Sequence, residues 1–447
     1  MSWERINARL QRENLRLLGW QTVVVVLLVL GYSGYYLCRS NLSVAMPYII
    51  GDMVRDGYDP DYAKVALGTI ASVGVFFYAV GKFVSGGVTD FLGGRLTFLG
   101  GMLGSVIFTT LFALFGTVPF FTLTWIGNRM VQSLGWVGMV KVSARWFSYS
   151  SYGTVMGIIS LSYLFGDAAS RAFMGWLFAL GVDWRGVFVI GATILLGLFA
   201  LTFFLLKESP RDIGEPEPPS NPGNVFADVG DDARPEGMRE LLLPLLRNRD
   251  FLFVCLLSLG FTLLRETFNT WTPTYFTEAL GLNGADAATR SALFPLLGGV
   301  SVLLAGFASD RLGRGGRALL LFLGLLLSAV GLLALAWGDL GGSPALPVAI
   351  VAAIAFVMIG PYSYLGGAMA LDFGGKKGSA TACGIIDGVG YLGGILAGDS
   401  VARLSVAFGW EGAFGVLASV VVLSSIPALL MLLDEYGRAP ARRLPRY

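Results

Sequence analysis

Five basic residues stand where the surrounding chain offers no water. Arg39, Lys82, Arg129, Arg171 and Arg265 all fall inside long apolar runs. A lone cation at such depth costs roughly 2.5–3.5 kcal/mol on insertion scales. Arg265 lies about fifteen residues into its run, or roughly 22 Å at 1.5 Å per residue, too deep for its guanidinium to snorkel to an interface. Cations at such a cost are kept to pair with a buried acid or to bind an anion. Glu266, next to Arg265, is an acid of that kind. Among anions a phosphate monoester fits well: it carries about −1.5 to −2 charges near neutrality, and two guanidinium forks match its oxygens bidentately.

Spacing surrounds these cations with polar rings. Tyr32, Tyr36 and Arg39 share one helical face at i, i+4 and i+7. Tyr78 stands one turn before Lys82, Asn269 one turn after Arg265, and Asp387 one turn before Tyr391. Any one of these aromatics alone reads as packing. As a set beside basic residues they describe a site that hydrogen-bonds an anion and stacks on an organic moiety. Asp167 and Arg171, at i and i+4, read as a self-neutralising pair, the alternative being that Asp167 or Asp387 binds a proton or a substrate group. Arg129 reads as a brace between helices.

The elements that must carry these residues are membrane-spanning helices. Of 447 residues, 55% are apolar and only 14% charged, against roughly 45–50% and 25% in soluble domains; the mean hydropathy is +0.68. Runs long enough to cross about 30 Å of hydrocarbon lie near 20–50, 65–88, 96–115, 119–142, 153–179 and 187–206. After a polar stretch come 251–276, 291–309, 317–337, 345–371, 380–404 and 412–433. Their length predicts helices, because barrel strands alternate over only about ten residues. The first run is too long for a cleavable signal and has no small-residue cleavage site after it. With both termini placed in the cytoplasm, 22 of the 32 Lys and Arg fall in cytoplasmic tails and loops and 5 outside, and the other 5 lie within the spans. That bias is the positive-inside signature.

Several functions are excluded at this level. The chain has no histidine, which removes His-based triads and His-ligated metals. Its three cysteines, Cys38, Cys255 and Cys383, sit in separate spans without metal spacing. No enzyme, cofactor or metal is expected, and no nucleic-acid motif is present.

The chain also repeats. Residues 207–249 include Glu215-Pro216-Glu217-Pro218-Pro219 and Asp231-Asp232, and read as a polar, Pro-rich cytoplasmic linker. On either side, Gly86-x-x-x-Asp90-x-x-Gly93 recurs as Gly306-x-x-x-Asp310-Arg311-x-Gly313, offset by 220. Trp184-x-Gly186-x-Phe188 recurs as Trp410-x-Gly412-x-Phe414, offset by 226, and Arg39 and Arg265 are also 226 apart. The expected layout is a cytoplasmic tail (1–19), a six-helix half (20–206), the linker (207–249), a second six-helix half (250–433) and a cytoplasmic tail (434–447). Two related halves are a known transporter architecture, with the site near midplane between them.

Gly306-Phe307-Ala308-Ser309-Asp310-Arg311-Leu312-Gly313-Arg314 resembles the loop signature between the second and third helices of each half of the major facilitators; the first copy ends Gly93-Gly94-Arg95 and lacks the basic residue after Asp90. The resemblance implies twelve transmembrane helices in two halves, with Asp90, Arg95, Asp310, Arg311 and Arg314 at the cytoplasmic gate. Within that superfamily the chain resembles the organophosphate:phosphate antiporters from about residue 31 to 433. The segments that carry the likeness are Gly31-Tyr32-Ser33-Gly34-Tyr35-Tyr36-Leu37-Cys38-Arg39, Gly81-Lys82-Phe83-Val84-Ser85-Gly86, Gln132-Ser133-Leu134-Gly135-Trp136, Arg145-Trp146-Phe147, Trp271-Thr272-Pro273-Thr274-Tyr275 and Gly390-Tyr391-Leu392-Gly393-Gly394. It implies that Arg39 and Arg265 grip phosphate and that Lys82, Trp136 and Tyr391 face the pathway. Three positions depart from the glycerol-3-phosphate members: Tyr163 replaces a histidine, Thr270 an acid and Ile359 a tyrosine. Lys82 to Gly86 and Ile386-Asp387-Gly388 lean toward the sugar-phosphate branch.

The expected protein is therefore an all-α, multi-pass transporter of the cell membrane, the inner membrane if bacterial. It acts as a monomer and exchanges a small phosphorylated organic anion for inorganic phosphate by alternating access. The expected ligands are Arg39, Arg265, Lys82, Tyr32, Tyr36, Tyr78, Trp136, Tyr163, Asn269, Asp387 and Tyr391. Two other readings fit the same residues. One is an organic-anion:proton symporter, since Asn41-Leu42-Ser43-Val44-Ala45-Met46-Pro47 resembles the anion:cation symporters. The other is a membrane sensor of a sugar phosphate.

Overall fold

A computed structural model describes residues 3–219, 221–226, 235–282, 290, 293–338 and 342–438. The described residues are helical throughout their ordered elements. The helices are α1 (Trp3–Leu37), α2 (Asn41–Arg55), α3 (Pro60–Leu92), α4 (Gly94–Leu114), α5 (Val118–Trp146), α6 (Tyr152–Ala179), α7 (Trp184–Leu205), α8 (Met238–Arg247), α9 (Arg249–Glu278), α10 (Leu293–Trp337), α11 (Ala345–Tyr364) and α12 (Ala370–Arg438). The 69 residues of α12 are not one rod. Gly375 (φ +54°) and Gly409 (φ +68°) turn it through the left-handed region, which only glycine adopts without a Cβ clash.

Eight helical segments among the described residues are long and apolar enough to span a bilayer, one of them the 53 residues Ala345–Ala397. Helix α5 has the length but is not among them. It carries Asn128, Arg129, Gln132, Lys141 and Arg145, so its polar residues dilute the hydropathy that marks the other spans.

The first apolar run is not continuous. Helix α1 stops at Leu37 and α2 starts at Asn41. A backbone group freed in a membrane must find a partner inside the protein. The Cys38 carbonyl finds two: Asn128 Nδ2 donates to it at 3.3 Å and Gln132 Nε2 at 3.0 Å. Arg39 sits in this break.

The chain forms two compact units. The first comprises residues 1–149, 159–236 and 375–381; the second comprises 150–158, 237–374 and 382–447. In the first unit, Phe112, Phe121, Trp125, Trp184 and Phe188 form an aromatic core under α2 and α3. Residues 207–219 and 221–226 belong to this unit and are more structured than a polar linker suggests. Pro210–Ile213 forms a 3-10 turn closed by a Ser209/Asp212 capping box. Phe226 is fully buried, its ring over the bare backbone of Gly378, where a Cβ would lie only 2.6 Å from Phe226 Cζ. In the second unit, α8 buries Leu241 and Leu245.

Candidate anion-binding site

In the first unit, Arg39, Lys82 and Arg129 converge on Tyr78. Their charged ends lie 4.5, 5.2 and 5.1 Å from the Tyr78 ring centroid, and Arg39 Nη1 donates to the Tyr78 hydroxyl at 3.2 Å. Each arrives from a different place: Arg39 from the α1–α2 break, Lys82 from one turn along α3, Arg129 from α5. Arg129 crosses to α3 over Gly74, where a Cβ would lie 3.1 Å from Arg129 Cγ and 2.5 Å from Trp125 Nε1. Lys82 is 2% exposed and Arg129 9%. A ring quadrupole returns about 0.5–2 kcal/mol per cation. Three cations around one ring repel each other by on the order of 2 kcal/mol per pair at an effective dielectric of about 20. The cluster is thus arranged to gain from an anion.

An aromatic row leads away from it. Tyr36 lies 5.3 Å from the Arg39 guanidinium. Tyr32 touches Tyr36 and Trp136, with centroids 5.9 and 5.7 Å apart, and Trp136 meets Tyr163 edge-on at 6.2 Å. Seven of the expected ligands therefore fall in one neighbourhood: Tyr32, Tyr36, Arg39, Tyr78, Lys82, Trp136 and Tyr163. The Ser40 hydroxyl, beside the break, donates to the Asp167 carboxylate; the Arg171 side chain lies outside the described residues.

In the second unit, Arg265 Nε and Nη2 both donate to Glu266 Oε1, at 3.0 and 2.5 Å. The guanidinium also lies 4.8 Å from the Tyr362 ring. Thr262 donates to the Tyr362 hydroxyl at 3.5 Å, and Asp387 and Tyr391 lie close enough to act on that hydroxyl electrostatically. Helix α12 can approach α9 because Gly390 has no side chain: a Cβ there would lie 2.5 Å from Ser258 Oγ and 2.8 Å from Thr262 Oγ1. Asn269 is exposed. Tyr362 was not singled out from the sequence. The resemblance pointed to position 359, where Ile359 instead packs into the space over Gly298; Tyr362, three residues on, puts a phenol on Arg265.

The residues expected at the gate divide in the same way. Asp90 accepts from Lys141 Nζ at 2.7 Å and from the backbone N–H groups of Thr381 at 2.7 Å and Ala380 at 3.3 Å. Lys141 also donates to the carbonyls of Lys376 and, at 2.8 Å, Lys377. A carboxylate thus caps a helix start while an ammonium caps the preceding carbonyls, each matching the local dipole. Arg95 is occupied elsewhere: Nε and Nη2 donate to Leu206 O and Phe203 O, each at 2.6 Å. Glu208 returns the contact by capping Gly94 N at 3.0 Å and Arg95 N at 2.6 Å, so Arg95 fastens the start of α4 to the end of α7. Arg311 is exposed, with its guanidinium 4.0 Å from the Phe307 ring. The side chains of Asp310 and Arg314 lie outside the described residues. Nearby, Arg317 and Asp372 form a buried ion pair that the sequence did not suggest.

Glu217 was also unforeseen. Its carboxylate is 2% exposed and meets Arg145 at 2.7 Å, Lys376 at 3.0 Å and Arg211 at 3.3 Å. Burial pushes the carboxyl up, but hydrogen bonds and charge from Lys376 and Arg145 outweigh it and hold the group below its usual range.

A polytopic helical bundle with cations buried in its spans defines a membrane transporter of the facilitator class. The chain belongs to the Major Facilitator Superfamily, whose family model matches residues 28–398. It is 27% identical over 416 residues to the glycerol-3-phosphate transporter of Bacillus subtilis, covering 90% of each chain. It is 28% identical over 440 residues to a probable hexose phosphate transport protein of Chlamydia muridarum, covering 94% of this chain and 91% of that one. Among solved structures, the proton:xylose symporter XylE superposes with a TM-score of 0.72 at 15% identity, covering 93% and 96%; this likeness concerns the fold alone. The resemblance to organophosphate transporters and the facilitator fold read from the sequence are borne out.

Proposed function

We propose that the protein exchanges a phosphorylated organic anion, a sugar phosphate or close analogue, for inorganic phosphate by alternating access, in a cell membrane with both termini cytoplasmic. Similarity to transporters named for glycerol-3-phosphate and hexose phosphate supports a phosphorylated substrate. The gathering of buried cations carries the reading. The charged ends of Arg39, Lys82 and Arg129 lie 4.5, 5.2 and 5.1 Å from the Tyr78 ring centroid, and a phosphate monoester, at about −1.5 to −2 charges, offsets positive charge gathered there. Reorienting an uncompensated charge through a low-dielectric layer is costly, so the empty carrier stays where it is and the loaded one moves.

Obligatory exchange follows. In proteoliposomes held at zero proton gradient, internal phosphate should accelerate uptake of labelled external phosphate at least about tenfold over empty vesicles, equivalent to about 1.4 kcal/mol of barrier. Equal uptake into loaded and empty vesicles would sink the antiport reading. Uptake that needs a proton gradient would replace it with anion:proton symport through Asp167, Glu266 or Asp387.

A further inference from the structure

We infer that Glu266 is a positioning residue of the substrate site: its carboxylate holds the Arg265 guanidinium between one substrate and the next, and yields it to the incoming phosphoryl group. The inference rests on the phosphate-exchange reading above, with Arg265 as a phosphate ligand, and adds to it a resident competitor for that ligand. The sequence offered a buried acid and an anion as alternative partners for Arg265; the geometry lets them take turns.

The contact resembles the one a substrate would make. Arg265 Nε and Nη2 both donate to Glu266 Oε1, at 3.0 and 2.5 Å. One edge of the guanidinium thus grips a carboxylate oxygen as it would grip a phosphate oxygen. The contact is also built to open. Neighbouring residues of a helix point about 100° apart, and side chains at i and i+1 do not face each other. Arg265 and Glu266 meet through their long, rotatable side chains, so torsions alone can separate them while α9 stays in place. Their supports differ as well. The guanidinium lies 4.8 Å from the Tyr362 ring of α11. The Glu266 stem lies against bare backbone of α12, where a Cβ on Gly394 would be 3.2 Å from Glu266 Cγ. Each partner has a seat that does not depend on the other.

Access separates this pair from a permanent one. The side chains of Arg265 and Glu266 are 15% and 28% exposed, and ionised groups within a span face protein or water-filled cavities rather than lipid. In the same unit the side chains of Arg317 and Asp372 are each 5% exposed. A dissolved anion can reach the first pair and not the second. Charge decides which anion displaces the carboxylate. A singly charged anion exchanges like for like, whereas a phosphate monoester, at about −1.5 to −2 charges, offers Arg265 more than Glu266 does. Glu266 thus sets a threshold that a phosphoryl group passes.

Binding of inorganic phosphate to the purified full chain separates this role from a merely structural one. Removing a competitor tightens binding; removing a brace leaves it unchanged or weakens it. Glu266→Gln, which keeps the side chain's size, should lower the Kd for phosphate about tenfold, as loss of a charged hydrogen bond to the rival implies. Glu266→Asp, shorter by one methylene, should fall between wild type and Gln, and decides the matter if the Gln variant does not yield folded protein. A second readout follows the carboxylate itself. The infrared difference spectrum of wild type on adding phosphate should contain a carboxylate band that Glu266→Gln lacks and Glu266→Asp shifts. A phosphate Kd at or above the wild-type value in either folded variant overturns the inference. So does tighter binding without that band, which would mean that the charge acts at a distance and Arg265 is not released. Wild-type protein that neither binds nor exchanges phosphate overturns the functional reading and this inference with it; wild-type binding with indifferent Glu266 variants overturns this inference alone.

Discussion

Arg39 is the residue at which charge and shape can be separated. Arg39→Lys keeps the positive charge and removes the planar fork, and with it the hydrogen bond to Tyr78 at 3.2 Å. A charged hydrogen bond of about 1.5–3 kcal/mol corresponds to roughly 10- to 150-fold in affinity. The expected result at matched expression is a loss of phosphate affinity of that size, read by binding and by exchange. Arg171→Lys, by contrast, should be nearly silent if Arg171 serves to neutralise Asp167. If Arg171→Lys is the more damaging and Arg39→Lys is near wild type, the site has been put in the wrong place. At this scale the sequence was partly legible. Buried charge is conspicuous in an apolar run, so Arg39, Lys82 and Arg265 stood out at once, and helical spacing grouped Tyr32 and Tyr36 with Arg39. Arg129 was equally conspicuous but its direction was not, because nothing in a linear pattern says that Gly74 opens a path for it to Tyr78. Tyr362 was hidden for a related reason: the resemblance fixed attention on position 359, and one helical turn moved the phenol.

Elements were legible where apolarity is continuous and illegible where polar groups do structural work. The break between α1 and α2 has no Pro or Gly to announce it; it depends on Asn128 and Gln132 of α5 satisfying the Cys38 carbonyl. The segment after α7 looked like a plain linker because its composition is polar and Pro-rich. Its order comes instead from ion pairing at Glu217 and from the burial of Phe226. Because the Glu217 carboxyl is held below its usual range, its contribution to stability is present above the ordinary carboxylate value of about 4.3 and is lost as pH falls through the depressed value. Glu217→Gln leaves Arg145 and Lys376 without their shared acid. Its melting temperature in detergent at pH 7 should fall by on the order of 5 °C, and the gap to wild type should close as the pH drops below about 4. A gap that persists unchanged into acid would show that the carboxylate charge is not what fastens this segment.

At the scale of the molecule, composition and repeat were sufficient to specify the class. The surplus of apolar residues requires a bilayer, and features recurring at offsets of 220 and 226 point to duplicated halves. The compact units do not follow a single cut at the linker, however. Residues 150–158 cluster with the second unit and residues 375–381 with the first, a grouping set by tertiary packing that no composition shift marks. The apolar signal that reveals the scaffold also fades where buried polar groups gather. Helix α5, which supplies Arg129, Trp136 and Lys141, is long enough to span yet too polar to be counted by hydropathy among the eight segments that do. The same polar residues that lower its hydropathy satisfy the Cys38 carbonyl, reach the Tyr78 ring and pair with Asp90.

The clasp made by Asp90 and Lys141 has a consequence in time as well as in space. Two amide hydrogens, those of Ala380 and Thr381, are held by one carboxylate, and both residues are buried. If the transport cycle requires the clasp to release, these amides meet water once per opening, and deuterium uptake by a peptide covering 376–381 becomes a clock for the cycle. Asp90→Asn should speed that uptake about tenfold, as loss of a charged hydrogen bond implies, while peptides from α4 and α7, fastened by Arg95 and Glu208, keep their wild-type rates. Saturating phosphate should change the clock in wild type. Uptake at 376–381 that ignores both phosphate and the Asp90 substitution would mean that these hydrogens do not report on the carrier's turning.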